Sequence, residues 1–200
     1  MAEDMRLVVV EPHCDDAFLS VGGLLQTLFK DWDKTIVTVY ADRRRGEEAG
    51  HYAKSIGAKS IVMYRKERDM LSKGDSKESI KYDKETTNLL SKLMDELDDW
   101  DSVLFPIGLQ HPDHITVARV GAKYPEAWYY LEIPYQSKQK LTKELNDRIE
   151  DMQIVHMQYP NKSKWKSIGI FKSQAKFFHF NKVLEDSRVP EILVQRVEYR

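Results

Sequence analysis

The sequence predicts an α/β protein: a doubly wound, Rossmann-like sandwich with a mostly parallel central sheet. Short apolar runs rich in β-branched residues alternate with stretches of helical periodicity over residues 1–131, which is the order of elements in such sheets. The runs are continuously apolar, as expected for strands covered on both faces. Two clusters of histidine and aspartate each follow one of these runs directly, at the strand end where ligands bind in this fold class.

Five runs have the length and composition of strands. They are Leu7–Val10, Thr35–Tyr40, Ser60–Tyr64, Val103–Phe105 and a weaker run at Trp128–Leu131. Helices are predicted between or after them at Gly22–Trp32, Arg45–Ile56, Thr86–Leu97 and Ile115–Lys123. The second helix stops at Gly57, a residue typical of the position after a helix end. The segment Lys66–Lys84 is rich in charge, serine and glycine, which favours a long surface loop.

Residues 132–200 are predicted to form a C-terminal α/β extension that completes a single domain with the doubly wound core of residues 1–131. Apolar residues at helical spacing mark one amphipathic helix in this part of the chain. They are Leu141, Leu145, Ile149 and Met152. A further helix is predicted over Trp165–Phe178 and a late strand over Gln195–Tyr199.

Composition narrows the class of partner and compartment. The 31 basic and 32 acidic residues nearly cancel, so net charge gives no reason to expect a nucleic-acid partner. No apolar run approaches the length that a membrane span needs, and the N-terminus lacks the apolar region of a secretory signal. The only cysteine, Cys14, fits a reducing compartment. We therefore expect a cytoplasmic protein without a nucleic-acid partner or a membrane span, with a homo-oligomer left open.

The two clusters have the chemistry of a metal site. The first is Pro12-His13-Cys14-Asp15-Asp16 and the second is His111-Pro112-Asp113-His114. Three imidazole or carboxylate ligands with one open position are typical of catalytic zinc. In a sheet ordered 3-2-1-4-5 the first and fourth strands are neighbours at the switch point, so the clusters are predicted to meet. Each cluster alone has another interpretation, since aspartate and histidine also occur at helix starts for capping and for the helix dipole.

The same residues resemble the LmbE-like/PIG-L family of zinc-dependent N-acetylglucosamine deacetylases. The resemblance is carried by His-x-Asp-Asp after the first strand, the pair Gly22-Gly23, and His-Pro-Asp-His after the fourth strand. Weaker similarities extend it over most of the chain. They are Arg44-x-x-Glu47 followed by Ala53 and Ile56-Gly57, Asp69 after the third strand, and Phe171-x-Ser173-Gln174.

The resemblance implies a role for each site residue. His13, Asp16 and His114 would bind Zn²⁺, with Fe²⁺ or another divalent ion as the alternative. Asp15 would be the general base, and His111 would stabilise the oxyanion or protonate the leaving amine. The remaining three residues are assigned supporting roles. Asp113 would orient His111, and Arg44 and Asp69 would contact the substrate. Arg44 also suits a solvated helix start, and Asp69 also suits a plain surface loop.

The chain departs from the family pattern at two positions. Cys14 stands where the family usually has proline, and Ala17 stands where it usually has glutamate. The lost glutamate removes a hydrogen-bond partner behind the ligands, and such partners can be worth about 10–100-fold in metal affinity or activity. The expected function is removal of an acetyl group from an N-acetylated amino sugar in a glycoside or glycoconjugate. Two alternatives are a binding protein with weakened catalysis and a zinc amidase acting on a non-sugar amide.

Overall fold

A computed structural model describes residues 5–67, 77–97, 99–109, 111–133, 143–159, 164–174 and 189–197. Its strands are β1 Arg6–Glu11, β2 Asp33–Tyr40, β3 Ala58–Arg65, β4 Ser102–Pro106, β5 Trp128–Tyr130, β6 Met152–Gln158 and β7 Glu191–Arg196. Its α-helices are α1 Asp16–Gln26, α2 Arg43–Ser55, α3 Lys77–Glu96, α4 Pro112–Gly121 and α5 Lys143–Ile149, and a 3₁₀ helix spans Lys164–Ile170. Among the helices so described, none has both the length and the apolar content to cross a bilayer.

The strands form a seven-stranded sheet in the order β3-β2-β1-β4-β5-β7-β6. Strands β1 to β5 pair in parallel, which confirms the predicted order 3-2-1-4-5. Strand β7 adds antiparallel to β5, and β6 adds antiparallel to β7. The C-terminal part of the chain therefore extends the same sheet.

Apolar side chains cover both faces of the sheet. On one face, α1, α2 and the residues after the 3₁₀ helix contribute to one cluster through Phe18, Tyr52 and Phe171. On the other face, α3 and α4 contribute Leu90 and Val117 to a second cluster. The helices that follow β1 and β2 thus lie on one face of the sheet, and those that follow β3 and β4 lie on the other. This doubly wound arrangement confirms the predicted fold class.

Helix α1 begins at Asp16, six residues before the predicted start at Gly22, and ends at Gln26. Every residue from Asp16 to Leu25 is buried, so this part of the helix has no polar face that would mark it as amphipathic. The apolar spacing on which the prediction rested extends to Leu28, which lies beyond the helix end and is exposed. With this earlier start, Pro12 to Asp15 of the first cluster form the turn between β1 and α1, and Asp16 is the first residue of the helix.

Four predictions for later elements were wrong in detail. Helix α3 begins at Lys77, inside the segment predicted as a loop. Met152 begins strand β6 rather than ending a helix, because the chain turns at residues 150–151. Trp165 lies in a 3₁₀ helix that ends at Ile170, and the last strand begins at Glu191, before the predicted Gln195. The predicted helix end after α2 is confirmed, since Gly57 adopts a φ of +68° there.

A buried ion pair lies against the glycine pair of α1. The Lys164 ammonium lies 2.6 Å from Glu191 Oε1 and donates to the Leu19 carbonyl at 2.6 Å. The Glu191 carboxylate also accepts from the backbone N–H groups of Gly23 and Leu24. A Cβ atom at Gly23 would lie 2.9 Å from Glu191 Oε2. The glycine therefore lets the helix backbone reach the carboxylate, which ties α1, β7 and the 3₁₀ helix together.

Replacing Lys164 by methionine is expected to lower the free energy of unfolding by about 3–5 kcal/mol, because the buried Glu191 charge loses its partner. Urea denaturation followed by circular dichroism measures the change. The double variant Lys164→Met/Glu191→Gln removes both charges and is expected to recover part of the loss. A single variant as stable as the wild type would contradict the pairing.

Candidate metal centre

The two histidine and aspartate clusters meet at the carboxyl ends of neighbouring strands. The first spans the turn between β1 and α1 and the first residue of α1, and the second lies at the start of α4, after β4. Strands β1 and β4 are paired in parallel, so both turns leave the sheet at the same edge. His13 and His114, 101 positions apart in the sequence, approach to 3.2 Å between ring nitrogens. The predicted convergence is therefore present in the structure.

Three side-chain atoms form a nearly equilateral triangle at this edge. His13 Nδ1 lies 3.3 Å from Asp16 Oδ2, and His114 Nε2 lies 3.2 Å from the same oxygen. The third side, between His13 Nδ1 and His114 Nε2, is 3.2 Å. All three residues are buried. They are the three residues that the sequence resemblance assigns to the metal.

The triangle has the size of one face of a zinc coordination tetrahedron. Zinc binds nitrogen and oxygen ligands at about 2.0–2.1 Å, so adjacent ligands of a regular tetrahedron are about 3.3–3.4 Å apart. The sides of 3.2–3.3 Å therefore match without further movement of the side chains. Two imidazoles and one carboxylate are also a donor set used by catalytic zinc and by other divalent ions. The residues fit a divalent cation.

His111 offers a second possible set of ligands. Nitrogen atoms of His13, His111 and His114 lie within 4.8 Å of one another. This set is looser than the triangle that contains Asp16, and His111 Nδ1 already accepts the backbone N–H of Asp113 at 3.2 Å. We therefore favour Asp16 as the third ligand and place His111 beside the centre.

The tautomer of His111 follows from its position at the start of α4. Its Nδ1 accepts a hydrogen bond, so the neutral ring carries its proton on Nε2. Burial, together with the charges of His13 and His114, lowers the pKa of His111 to about 4. The ring is then neutral near pH 7 and presents an N–H donor. This state suits stabilisation of an oxyanion better than protonation of a leaving amine.

Carboxylates make the pocket favourable for positive charge. Burial alone would lower the pKa of His13, but its contacts with Asp113 and Asp16 outweigh burial and raise that pKa to about 10. Against the same effect of burial, Asp16 and Glu132 raise the pKa of His114 to about 9. Because imidazole must be neutral to bind a metal, a cation that bound in this pocket would displace protons.

Asp15 is buried next to the triangle without being part of it. It occupies the cap position of α1, yet its side chain makes no capping hydrogen bond. Burial, followed by the charge of Asp16, raises the pKa of Asp15 to about 7. A carboxylate with a pKa near the working pH is well matched to general base catalysis.

The carboxylate of Asp113 lies closer to His13 than to His111. Its Oδ2 is 3.2 Å from His13 Nε2 and 3.8 Å from His111 Nδ1. Asp113 therefore contacts His111 mainly through its backbone N–H, and its side chain supports a predicted metal ligand. Carboxylates commonly hold the second nitrogen of a metal-binding histidine in this way.

Glu132 does the same for His114 and was missed by the sequence analysis. Its Oε1 lies 3.2 Å from His114 Nδ1 and accepts from the N–H groups of Gly108 and Leu109. Gly108 reaches this position with a φ of +85°. Among the described residues, Glu132 Oε2 has no hydrogen-bond partner although it is buried. The one feature of the sequence that marks this position is a single acid after the fifth strand-like run, and that feature alone does not assign a function to Glu132.

Replacing Glu132 by glutamine is expected to weaken metal affinity by about 10–100-fold, because the amide no longer supports His114 with a full negative charge. Competition with a chromogenic chelator measures the dissociation constant. Glu126→Gln, which changes an exposed glutamate before β5, is a matched control and should bind as the wild type does. Equal affinities for Glu132→Gln and wild type would exclude this role for Glu132.

The structure brings Arg45, rather than the predicted Arg44, towards the centre. The Arg44 side chain is 64% exposed and lies 3.7 Å from Glu48, whereas the Arg45 side chain is 16% exposed and pairs with Glu67. Glu67 in turn lies 3.6 Å from His13 Nε2. The other predicted substrate contact, Asp69, lies outside the described residues.

The neighbouring residues explain why Arg45, and not Arg44, is turned towards the centre. Arg45 donates to the side-chain oxygen of Gln174, in the amide orientation that satisfies both groups. Ser173 donates through its backbone N–H and its hydroxyl to the buried Glu48. Arg45 and Glu48 thus connect α2 to Ser173-Gln174, while Glu47 faces solvent and pairs with Arg43.

The architecture is that of solved deacetylases, in agreement with the resemblance in the sequence. A triple mutant of a deacetylase from the teicoplanin biosynthetic pathway aligns with a TM-score of 0.64 at 15% identity, over 98% of this chain and 100% of that chain. The N,N'-diacetylchitobiose deacetylase of Pyrococcus horikoshii aligns with a TM-score of 0.54 at 17% identity, over 97% of this chain and 85% of that one.

The fold also occurs in a protein with a different reaction. The 4-carboxy-2-hydroxymuconate hydratase of Pseudomonas putida KT2440 aligns with a TM-score of 0.55 at 14% identity, over 98% of this chain and 97% of that chain. No family profile and no curated protein sequence matches the chain. At these identities the similarity establishes the fold, and the reaction has to be argued from the site.

Proposed function

We propose that this protein is a metal-dependent hydrolase that removes an acetyl group from an N-acetylated amino sugar. The observation that carries the proposal is the His13, Asp16 and His114 triangle beside a buried carboxylate, Asp15, that is not part of it. Three ligands and a separate base are the components of metal-assisted hydrolysis. The deacetylases that share the fold support this reaction class.

A divalent cation bound by the triangle supplies Lewis-acid polarisation and lowers the pKa of water. Asp15 accepts the proton of the attacking water. Its raised pKa of about 7 lets it hold that proton until the leaving amine takes it up. Its burial keeps the carboxylate out of bulk solvent, so the proton stays within the site.

His111 provides the donor for the developing negative charge. Since Nδ1 accepts from Asp113 N, the Nε2–H group is the one that can point at a substrate oxygen. A fixed donor of this kind is worth about 10²–10³-fold in turnover when it faces an oxyanion. The backbone of α4 holds the ring, so the donor is oriented before substrate binds.

The pair of Arg45 and Glu67 is the proposed polar contact for the sugar. Glu67 lies beside His13, and a carboxylate paired with a guanidinium offers an acceptor and several donors for hydroxyl groups. Arg44 and Asp69, assigned to the substrate by resemblance, remain proposals. The Arg44 side chain is 64% exposed, and Asp69 lies outside the described residues. Removal of acetate exposes an amine on the sugar, and in this proposal the Glu67 carboxylate faces that amine.

Acetate release from N-acetylglucosamine and its glycosides tests the reaction. The zinc-loaded and iron-loaded proteins are compared with the chelated protein, and a parallel set of non-sugar N-acetyl amides is assayed. Release from sugars alone supports the proposal. Release only from the non-sugar amides would instead identify the protein as an amidase acting on a non-sugar amide. Tight metal binding with no hydrolysis of any amide would favour a binding protein of this fold.

A further inference from the structure

A fully buried glutamate lies beneath the turn that carries the first cluster. Glu11 is the last residue of β1 and has no exposed surface. Its Oε1 accepts a hydrogen bond of 2.6 Å from the Thr38 hydroxyl on β2. Its Oε2 accepts a hydrogen bond of 2.9 Å from the backbone N–H of Ala17 in the first turn of α1. The carboxylate therefore bridges β2 and α1 across the turn of residues 12–15.

This bridge replaces the usual local cap of the helix. The first N–H groups of an α-helix have no partner within the helix, and the side chain of the cap residue normally accepts one of them. Here Asp15 is in the cap position but makes no such bond. Glu11 satisfies the N–H of Ala17 instead, and Asp16 accepts the N–H of His13 at 2.8 Å.

The bridge also accounts for the alanine at position 17. Ala17 has no exposed surface, so its methyl group is packed where a longer acid would have to fit. The LmbE-like pattern has glutamate at this position, and in this chain the carboxylate next to it comes from Glu11. In this chain a strand residue, Glu11, therefore supplies the carboxylate next to this helix position.

We propose that Glu11 is a positioning residue of the metal centre. It caps α1 from the strand, so that the Asp15 carboxylate is not needed as the helix cap and Asp16 is held in position to bind the cation. The inference rests on the proposed metal site. The turn that Glu11 spans is also fixed on the β2 side, where Tyr40 N donates to the Pro12 carbonyl at 2.8 Å. Loss of the Glu11 bridge releases the helix end of this turn, where Asp15 and Asp16 lie.

Zinc affinity, measured by chelator competition, tests the inference with three variants of the full chain. Glu11→Ala is expected to weaken binding about tenfold or more, as the loss of a supporting partner does. Glu11→Gln keeps an oxygen for the Ala17 N–H and is expected to bind within about threefold of the wild type, since the geometry is retained. Glu11→Ala/Ala17→Glu returns the acid to the helix and is expected to recover most of the loss.

Glu191→Gln is the matched control, because Glu191 also accepts N–H groups of α1 but at Gly23 and Leu24, away from the ligands. It is expected to lower the melting temperature without changing zinc affinity. If Glu11→Ala also lowers the melting temperature without changing zinc affinity, Glu11 is an ordinary core residue. This inference is then overturned, while the proposed function stands. If the wild type binds no divalent cation, the proposed function falls and the inference with it. Should Glu11→Ala not fold, the exchange variant decides: affinity near the wild type supports the inference, and its loss overturns it.

Discussion

Asp15→Asn is expected to lower turnover by about 10²–10⁴-fold, the range that a general base contributes, while zinc stays bound. Asparagine has nearly the same shape as aspartate but cannot accept the proton of the attacking water. Asp15 is not one of the three atoms of the triangle, so the ligand set is unchanged. Acetate release gives turnover, and elemental analysis of the purified variant gives the zinc content.

The control for this variant is Asp33→Asn, which makes the same chemical change at a residue on β2 whose side chain is exposed and pairs with Lys59. It is expected to retain both turnover and zinc. Loss of zinc from Asp15→Asn would place Asp15 among the ligands. Unchanged turnover with bound zinc would require a different base.

His114→Ala is expected to weaken zinc binding by more than about 100-fold, beyond the loss that follows removal of a supporting partner. His114 Nε2 forms two sides of the triangle, so its removal leaves two ligands. His111→Ala is expected to keep zinc and to lower turnover by about 10²–10³-fold through loss of the oxyanion donor. Chelator competition and acetate release on the same preparations separate the two effects.

His51→Ala serves as the control, since His51 is exposed on α2. Similar losses of zinc for His111→Ala and His114→Ala would favour the looser set of three histidines over the set that contains Asp16. In that case Asp16→Asn should retain zinc. On the present geometry, Asp16→Asn is expected to lose it.

The parallel half of the sheet was predictable because its strands are buried on both faces. Val8 to Val10 and Val103 to Phe105 are almost fully inaccessible, and such strands appear in a sequence as unbroken apolar runs. The order of strands then follows from the rules of doubly wound folds. Since both clusters follow neighbouring strands directly, their convergence needed no knowledge of side-chain contacts.

The C-terminal strands were harder to predict because β6 lies at the edge of the sheet. Ile154 and Met157 are more than half exposed, so β6 lacks the unbroken apolar run of a covered strand. Its first residue, Met152, also continues the apolar spacing of α5 by coincidence. Periodicity alone cannot separate a helix from a strand in so short a segment.

The supporting residues of the site were not predictable by local pattern. Glu132 is a single acid after β5, and its function follows only from its distance to His114. Arg45 differs from Arg44 by one position, and its direction is set by Glu67 and Gln174. Glu11 looks like the polar end of a strand until its contact with Ala17 is seen. Each of these roles depends on contacts made across the fold.

The chain has one cysteine and therefore cannot form an internal disulfide. A cation in the triangle would cross-link the chain in another way. A cation held by His13, Asp16 and His114 fastens two segments that lie 101 positions apart along the backbone, and so acts as a removable cross-link. A link that closes a long loop restricts the unfolded chain, and a ligand that binds only the native state stabilises it further. Extraction of the metal should therefore loosen the junction of β1 and β4 in the middle of the sheet, where faster amide hydrogen exchange would report it.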